Sequence, residues 1–131
     1  MSTRRLGTVA LVVREYDEAI AWYREKLGFV LIEDTPLGNG RRWVLVAAGA
    51  AAETRLLLAR AATPEQAARI GDQTGGRVAL FLETDDFDRD FRDFTAAGVH
   101  FVRPPRAEAY GMVAVFEDLY GTKWDLIEMR R

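Results

Sequence analysis

The stretch from Tyr110 to Glu128, YGMVAVFEDLYGTKWDLIE, predicts two strands joined by a tight turn. Residues 112–117 are apolar and rich in β-branched side chains, and residues 123–128 alternate apolar with polar ones. Between them, the segment Asp118-Leu119-Tyr120-Gly121 has the composition of a turn. Gly121 can adopt the positive φ that a tight reversal needs, so the pattern predicts a β-hairpin.

Alternation along the second strand of this hairpin assigns its side chains to two faces. Asp125 and Ile127 point to one face, whereas Trp124, Leu126 and Glu128 point to the other. A carboxylate beside bulky apolar neighbours is either an edge residue in water or a group directed into a cavity. The pattern leaves both interpretations of Asp125 open.

The first half of the chain predicts one helix among four strands. Tyr16, Ile20, Tyr23 and Leu27 recur at helical spacing, and Gly28 follows as a C-terminal cap. The predicted strands cover residues 6–13, 29–33, 41–47 and 54–59, with a turn-rich loop at residues 36–40.

The second half repeats this order of elements. Val78–Leu82 matches Val9–Val13 in character, Gly98 corresponds to Gly28, and three phenylalanines repeat the helical spacing, at Phe87, Phe91 and Phe94. The chain therefore predicts a βαβββ module written twice, because so many elements would not coincide independently. We expect one domain over residues 1–131, with module one at about 5–60, a connector at 61–76 and module two at about 77–129. The connector is predicted to hold a short helix that ends at about residue 70, and residues 99–102 are predicted to form the second strand of module two. A generic α+β domain with two similar helices is the alternative.

Composition narrows the function classes. The 131 residues are 49% hydrophobic and 29% charged, with 18 basic against 20 acidic side chains, which is typical of a globular protein without a basic nucleic-acid footprint. The absence of cysteine excludes disulfides and thiolate metal sites. The first residues lack the apolar core of a signal peptide, and no run is long enough for a membrane span. We expect a cytoplasmic protein with neither nucleic acid nor membrane as partner.

The order and spacing of several motifs resemble the vicinal oxygen chelate superfamily, which includes glyoxalases, bleomycin resistance proteins and extradiol dioxygenases. The motifs are TVALVV at 8–13, YDEA at 16–19, LGF at 27–29, ETDDF at 83–87 and DLYGTKWDL at 118–126. The resemblance implies an α+β fold in which two tandem βαβββ modules form a curved, eight-stranded mixed sheet around a cavity, with the helices outside.

In metal-dependent members of this family, a His, a Glu or Gln, a second His and a Glu line the cavity. The resemblance carries these four positions to Thr8, to Leu57 or its neighbours, to Ala79 or Arg77, and to Asp125. Only Asp125 keeps a possible ligand, whereas a transition metal needs about three or four protein donors. The one histidine, His100, lies on a strand that the family does not use for ligation. We expect no catalytic metal and no cofactor.

Alternation of the strands predicts a mostly apolar cavity with a few charges, which is typical of a small-molecule site. Arg55 and Arg77 are expected either to hold an anion or to pair with Asp125 and Glu83. Asp125 itself is either a candidate general base or half of a buried ion pair. The predicted ligand-binding residues are Thr8, Trp43, Arg55, Leu57, Arg77, Ala79, Phe81, Tyr110 and Asp125.

Three functions are compatible with these features. The first is a homodimeric protein that binds, and so sequesters, a small apolar or anionic drug or metabolite. The second is a lyase, isomerase or dioxygenase-type enzyme that works without the usual metal and uses Asp125, Glu83 or an arginine. The third is a dimeric interaction module without a ligand. Fold alone does not choose among them.

Overall fold

The computed structural model describes residues 3–130, so the first two residues and the last residue of the predicted domain lie outside the described part. The chain divides into two compact units between Ala68 and Arg69, inside the predicted connector. The elements of the first unit are β1 (Thr8–Val13), α1 (Tyr16–Leu27), β2 (Val30–Gly38), β3 (Arg41–Ala47), β4 (Arg55–Arg60) and α2 (Pro64–Ala67). Those of the second unit are β5 (Leu80–Glu83), α3 (Phe87–Ala96), β6 (His100–Glu108), β7 (Gly111–Glu117) and β8 (Lys123–Met129).

Each unit contains one four-stranded mixed sheet. The strand orders are β1-β4-β3-β2 and β5-β8-β7-β6, and in each sheet the first two strands are parallel while the others are antiparallel. The predicted α+β fold with two βαβββ modules is confirmed. The eight strands are hydrogen-bonded as two sheets of four within the described residues, where the resemblance implied one sheet of eight. Alternation within a strand identifies the strand but does not say which edges pair.

In the first unit, α1 covers one face of the sheet. Tyr23 on the helix is fully buried, as are Val44, Val46 and Leu58 on β3 and β4. Gly28 ends the helix in the left-handed conformation with φ of 69°. This confirms the predicted cap, because glycine adopts that conformation without a Cβ clash.

Arg42 ties the start of α1 to the β2–β3 hairpin. Its backbone N–H donates to the Tyr16 hydroxyl at 3.1 Å, and its guanidinium lies 5.1 Å from the centre of the Tyr16 ring. The same guanidinium contacts Asp34 at 2.7 Å and Asp17 at 2.9 Å. The hydrogen bond from Arg42 lowers the pKa of Asp34. The first turn of α1 is therefore held on the hairpin by an aromatic contact and two ion pairs.

In the second unit, α3 covers one face through aromatic packing. Phe116 contacts Phe94 of α3 edge to face and stacks on Trp124 of β8, in each case with 5.8 Å between ring centres. The Phe87 backbone N–H donates to Glu128 Oε1 at 2.7 Å. Trp124 and Glu128 thus face the helix, as alternation predicts, and the opposite face of this sheet carries no helix of its own unit.

The turn between β7 and β8 has the predicted chemistry. One oxygen of Asp118 accepts hydrogen bonds from the backbone N–H groups of Tyr120 and Thr122, both at 2.9 Å. Gly121 has a φ of 93°. The aspartate side chain thus satisfies the backbone of the turn, and the glycine makes the reversal possible.

Three predicted boundaries are wrong. β2 continues to Gly38, so the predicted loop at 36–40 shrinks to the turn at Asn39 and Gly40. β6 continues to Glu108 instead of ending near residue 102. Both strands lie at the edge of a sheet. Proline is tolerated there because its missing N–H would have had no further strand to bond to. The short helix α2 ends at Ala67 rather than near residue 70.

Two glycines of the connector allow the cost of placing alanine at a positive φ to be measured separately from the cost of a steric clash of its Cβ. Gly71 and Gly75 have φ of 77° and 67°, but a Cβ would meet the carbonyl oxygen of Tyr120 only at Gly71. We expect Gly75→Ala to lower the free energy of unfolding by about 1 kcal/mol. Gly71→Ala should lower it by roughly 1–3 kcal/mol more, because backbone must move. Urea unfolding of both variants measures the difference, and equal losses would contradict this account.

Candidate functional site

A row of side chains crosses the helix-free face of the second sheet. The strand register pairs Phe81 with Asp125, Asp125 with Val115, and Val115 with Arg103. Residues paired across neighbouring strands point to the same side of a sheet. The four side chains therefore form one continuous row from β5 to β6. β8 is an interior strand, so Asp125 is not an edge residue.

An irregularity in β6 brings a second arginine to this face. Arg103 pairs with Val115 and Arg106 with Val113, so three steps along β6 match two steps along β7. In a regular strand, residues three apart point to opposite faces, but one extra residue in a bulge restores the same face. The bulge contains Pro104-Pro105 and lies on an edge strand, where proline is tolerated.

Sequence reasoning missed Arg103 and Arg106. The signal was present as Arg-Pro-Pro-Arg at residues 103–106. Two adjacent prolines inside a strand mark an edge or a bulge, and a bulge puts the flanking arginines on one face.

These side chains surround a pocket of about 410 Å³, a size within the usual range of roughly 300–1,000 Å³ for small-molecule sites. The Phe81 side chain is 62% exposed although it is large and apolar. Val115 forms part of the apolar wall and is almost fully buried. The lining residues are Gly76, Arg77, Val78, Phe81, Arg103, Arg106, Val115, Lys123 and Asp125.

The pocket has an excess of positive charge. Four of its lining residues are cationic and one is acidic. Arg106 is neutralised by Glu108, with 2.6 Å between Nε and Oε1. Within residues 3–130, no ion pair at 4.0 Å or less involves Arg77, Arg103 or Lys123. Three cations are therefore available to a ligand.

Asp125 lies among these cations without a direct partner. Desolvation raises the pKa of its carboxyl, while the charges of Arg106 and Arg103 act in the opposite direction. In the described part of the chain, Asp125 makes no ion pair within 4.0 Å. Of the two interpretations left open by its sequence, the structure favours a carboxylate directed into a pocket.

Two predicted site residues of the second unit do not line this pocket. Ala79 precedes β5, and its backbone N–H donates to the Lys123 carbonyl at 2.9 Å. Tyr110 lies in the β6–β7 turn, where its carbonyl accepts a hydrogen bond from the Arg130 N–H at 2.7 Å. Arg77, Phe81 and Asp125 are the predicted residues that the pocket brings together.

The remaining predicted residues lie on the helix-free face of the first sheet. Thr8 pairs with Arg55, and Leu57 pairs with Leu45. Trp43 shares the face of Leu45 by alternation along β3 and is 38% exposed. The Arg55 Nε is buried and has no hydrogen-bond partner within the described residues. Glu33 and Thr35 of β2 share this face, because they pair with Leu45 and Trp43.

A shared bulge fixes the correspondence between the two units. The ladder between the second and third strands shifts at Leu31/Glu33 in one unit and at Phe101/Arg103 in the other. Following the ladders from these shifts aligns Leu57 with Asp125 and Thr8 with Ala79. The alternative alignment of Thr8 with Arg77 is therefore excluded.

The four positions implied for a metal thus hold Thr8, Leu57, Ala79 and Asp125. One carboxylate and one hydroxyl do not fit a metal that needs about three or four donors. The cations around Asp125 disfavour a bound cation further. Within residues 3–130, no three His, Cys, Asp or Glu side chains come together as a metal site. His100 is exposed and lies opposite Glu117.

Comparison with known proteins identifies relatives along nearly the whole chain. An uncharacterized protein of Shewanella frigidimarina (strain NCIMB 400) is 55% identical over 122 residues, covering 92% of this chain and 90% of that protein. YetH of Bacillus subtilis (strain 168) is 28% identical and covers 95% and 98%. None of the helices in residues 3–130 is long and apolar enough to cross a membrane.

Solved structures share the fold. The crystal structure of UcmS2 has a TM-score of 0.83 and 30% identity, covering 96% of this chain and 98% of that one. TnmS3, an antibiotic binding protein from Streptomyces sp. CB03234, has a TM-score of 0.80 and 28% identity, covering 99% of both chains. The family model described as Glyoxalase/Bleomycin resistance protein/Dioxygenase superfamily matches residues 5–126. The chain therefore belongs to the glyoxalase/bleomycin resistance protein/dioxygenase superfamily.

Proposed function

We propose that this protein binds a small organic anion with an apolar or aromatic body in the pocket of the second unit. The observation that carries the proposal is a set of cations without an ion-pair partner among residues 3–130, namely Arg77, Arg103 and Lys123, around the exposed ring of Phe81. An unpaired guanidinium favours a carboxylate, which it can bind through two parallel hydrogen bonds. The exposed ring of Phe81 offers apolar surface that the rest of such a ligand would cover.

The comparisons support a binding role rather than a particular ligand. TnmS3 binds an antibiotic, and its sequence is 28% identical over nearly the whole chain. By extension, we infer that this protein sequesters a drug or metabolite as a cytoplasmic homodimer. If no compound of a broad ligand panel binds and the protein forms a tight dimer, an interaction module without a ligand would instead be favoured.

The raised pKa of Asp125 favours a second candidate function, an enzyme in which this carboxylate is a general base. Groups with perturbed pKa values concentrate at catalytic sites, and desolvation raises the pKa of this carboxyl. Conversion of a bound compound, measured by mass spectrometry and lost in Asp125→Asn, would establish this alternative over simple binding.

The proposal predicts that Arg103→Gln weakens the binding of aromatic carboxylates about tenfold, because it removes a charge-assisted hydrogen bond. Isothermal titration calorimetry with benzoate and larger aromatic acids, chosen by a thermal-shift screen, measures the change. A ligand at 100 times its dissociation constant adds about 2.7 kcal/mol to stability, which such a screen detects.

Arg92→Gln is the matched control, because Arg92 is an exposed residue of α3, the helix on the opposite face of the sheet. The control removes the same charge and should leave affinity within about twofold. Equal losses in the two variants would mean that long-range charge, and not the pocket, attracts the anion.

The raised pKa of Asp125 also predicts how stability depends on pH. Burial disfavours the charged carboxylate in the folded state, so the folded protein holds this proton more tightly than the unfolded chain. Asp125 therefore costs stability above its folded pKa, and the cost disappears as pH falls below the unfolded value of about 3.8. Asp125→Asn should be more stable than wild type at pH 7 and no more stable near pH 3. Urea unfolding at both pH values tests this, and a variant less stable at pH 7 would show that the carboxylate is instead favourably paired.

A further inference from the structure

We propose that Asp125 makes the pocket selective for aromatic acids that carry an N–H or O–H donor on the side of the ring opposite the acid. This inference rests on the proposed function and names its ligand class. The acid would contact Arg103, the ring would lie in the pocket beside Phe81, and the donor would reach Asp125.

The spacing of the row supports this arrangement. Arg103 and Asp125 lie on β6 and β8, with Val115 of β7 between them on the same face. Two strand spacings of about 4.8 Å separate their backbones by roughly 10 Å. A flat ring that lies above this row therefore presents one end to the guanidinium and the opposite end to the carboxylate.

The chemistry of the lining explains why a donor is needed. Asp125 is the one carboxylate among the pocket-lining residues, and an ionised carboxylate only accepts hydrogen bonds. The neighbouring arginine and lysine side chains donate hydrogen bonds but have no atom that accepts one. A ligand that covered Asp125 without a donor would remove water from an unpaired charge, which is more costly than leaving the pocket empty there. Sites built around a buried polar group reject analogues that lack the matching group.

A matched ligand series tests the proposal. Calorimetry would compare para-hydroxybenzoate and para-(aminomethyl)benzoate, which carry O–H and N–H donors, with para-methoxybenzoate, which carries none. We expect both donors to bind wild type about tenfold more tightly than the methoxy compound. The isomer ortho-hydroxybenzoate, with its donor next to the acid, should gain no such preference.

The test variant is Asp125→Leu, because Leu57 occupies the equivalent position of the first unit and shows that this sheet geometry accepts leucine. It should bind the hydroxy and methoxy compounds equally while still binding both. Asp125→Asn keeps a neutral acceptor and should retain a preference of roughly threefold, which tests the proposal if the leucine variant does not fold.

The outcomes separate this inference from the proposed function. Equal binding of hydroxy and methoxy compounds to wild type, with both weakened by Arg103→Gln, overturns the donor requirement but leaves anion binding intact. An equal preference for the ortho isomer also overturns it, since the row geometry would then be irrelevant. Failure of every aromatic acid to bind wild type overturns both.

Discussion

Packing of one helix against one face of each sheet is the constraint on which the site depends. In the second unit, Phe94 of α3 and Trp124 of β8 both pack on Phe116, and burial of each aromatic side chain contributes roughly 1.5–3 kcal/mol. A shift of β8 by one residue would move Trp124 to the open face and lose that burial. The register is therefore fixed by apolar contacts on the covered face, and the position of Asp125 on the open face follows from it.

The position of Arg106 on the open face depends on a feature that packing does not dictate. Without the bulge at Pro104-Pro105, Arg106 would point to the opposite side of β6 from Arg103. Because β6 is an edge strand, the bulge interrupts a single ladder. The edge also leaves these long side chains room to remain hydrated when no ligand is present, which keeps the cost of gathering cations low.

Local periodicity was sufficient to predict the helices, most strands and the facing of Asp125 against Trp124, because each depends on neighbours a few residues apart. Local periodicity does not predict which strands pair. It therefore did not predict the facing of the β6 arginines, because a bulge is defined by the residues of the neighbouring strand. The choice between Ala79 and Arg77 was also open, because the glycine-rich connector before β5 carries no periodic signal. The equivalence of Ala79 and Thr8 was established only by the matching shifts in strand register in the two units.

The two units keep one backbone plan but differ in the chemistry of their open faces. Ala10, Leu57, Leu45 and Glu33 form the row in the first unit that corresponds to Phe81, Asp125, Val115 and Arg103 in the second. Leu57 in the first row corresponds to Asp125 in the second, and Glu33 corresponds to Arg103. Glu33 gives the first row a negative charge at the position where Arg103 gives the second row a positive one. Under the proposed function, the charged end of a ligand would therefore lie in the second unit, where the pocket lining brings several cations together.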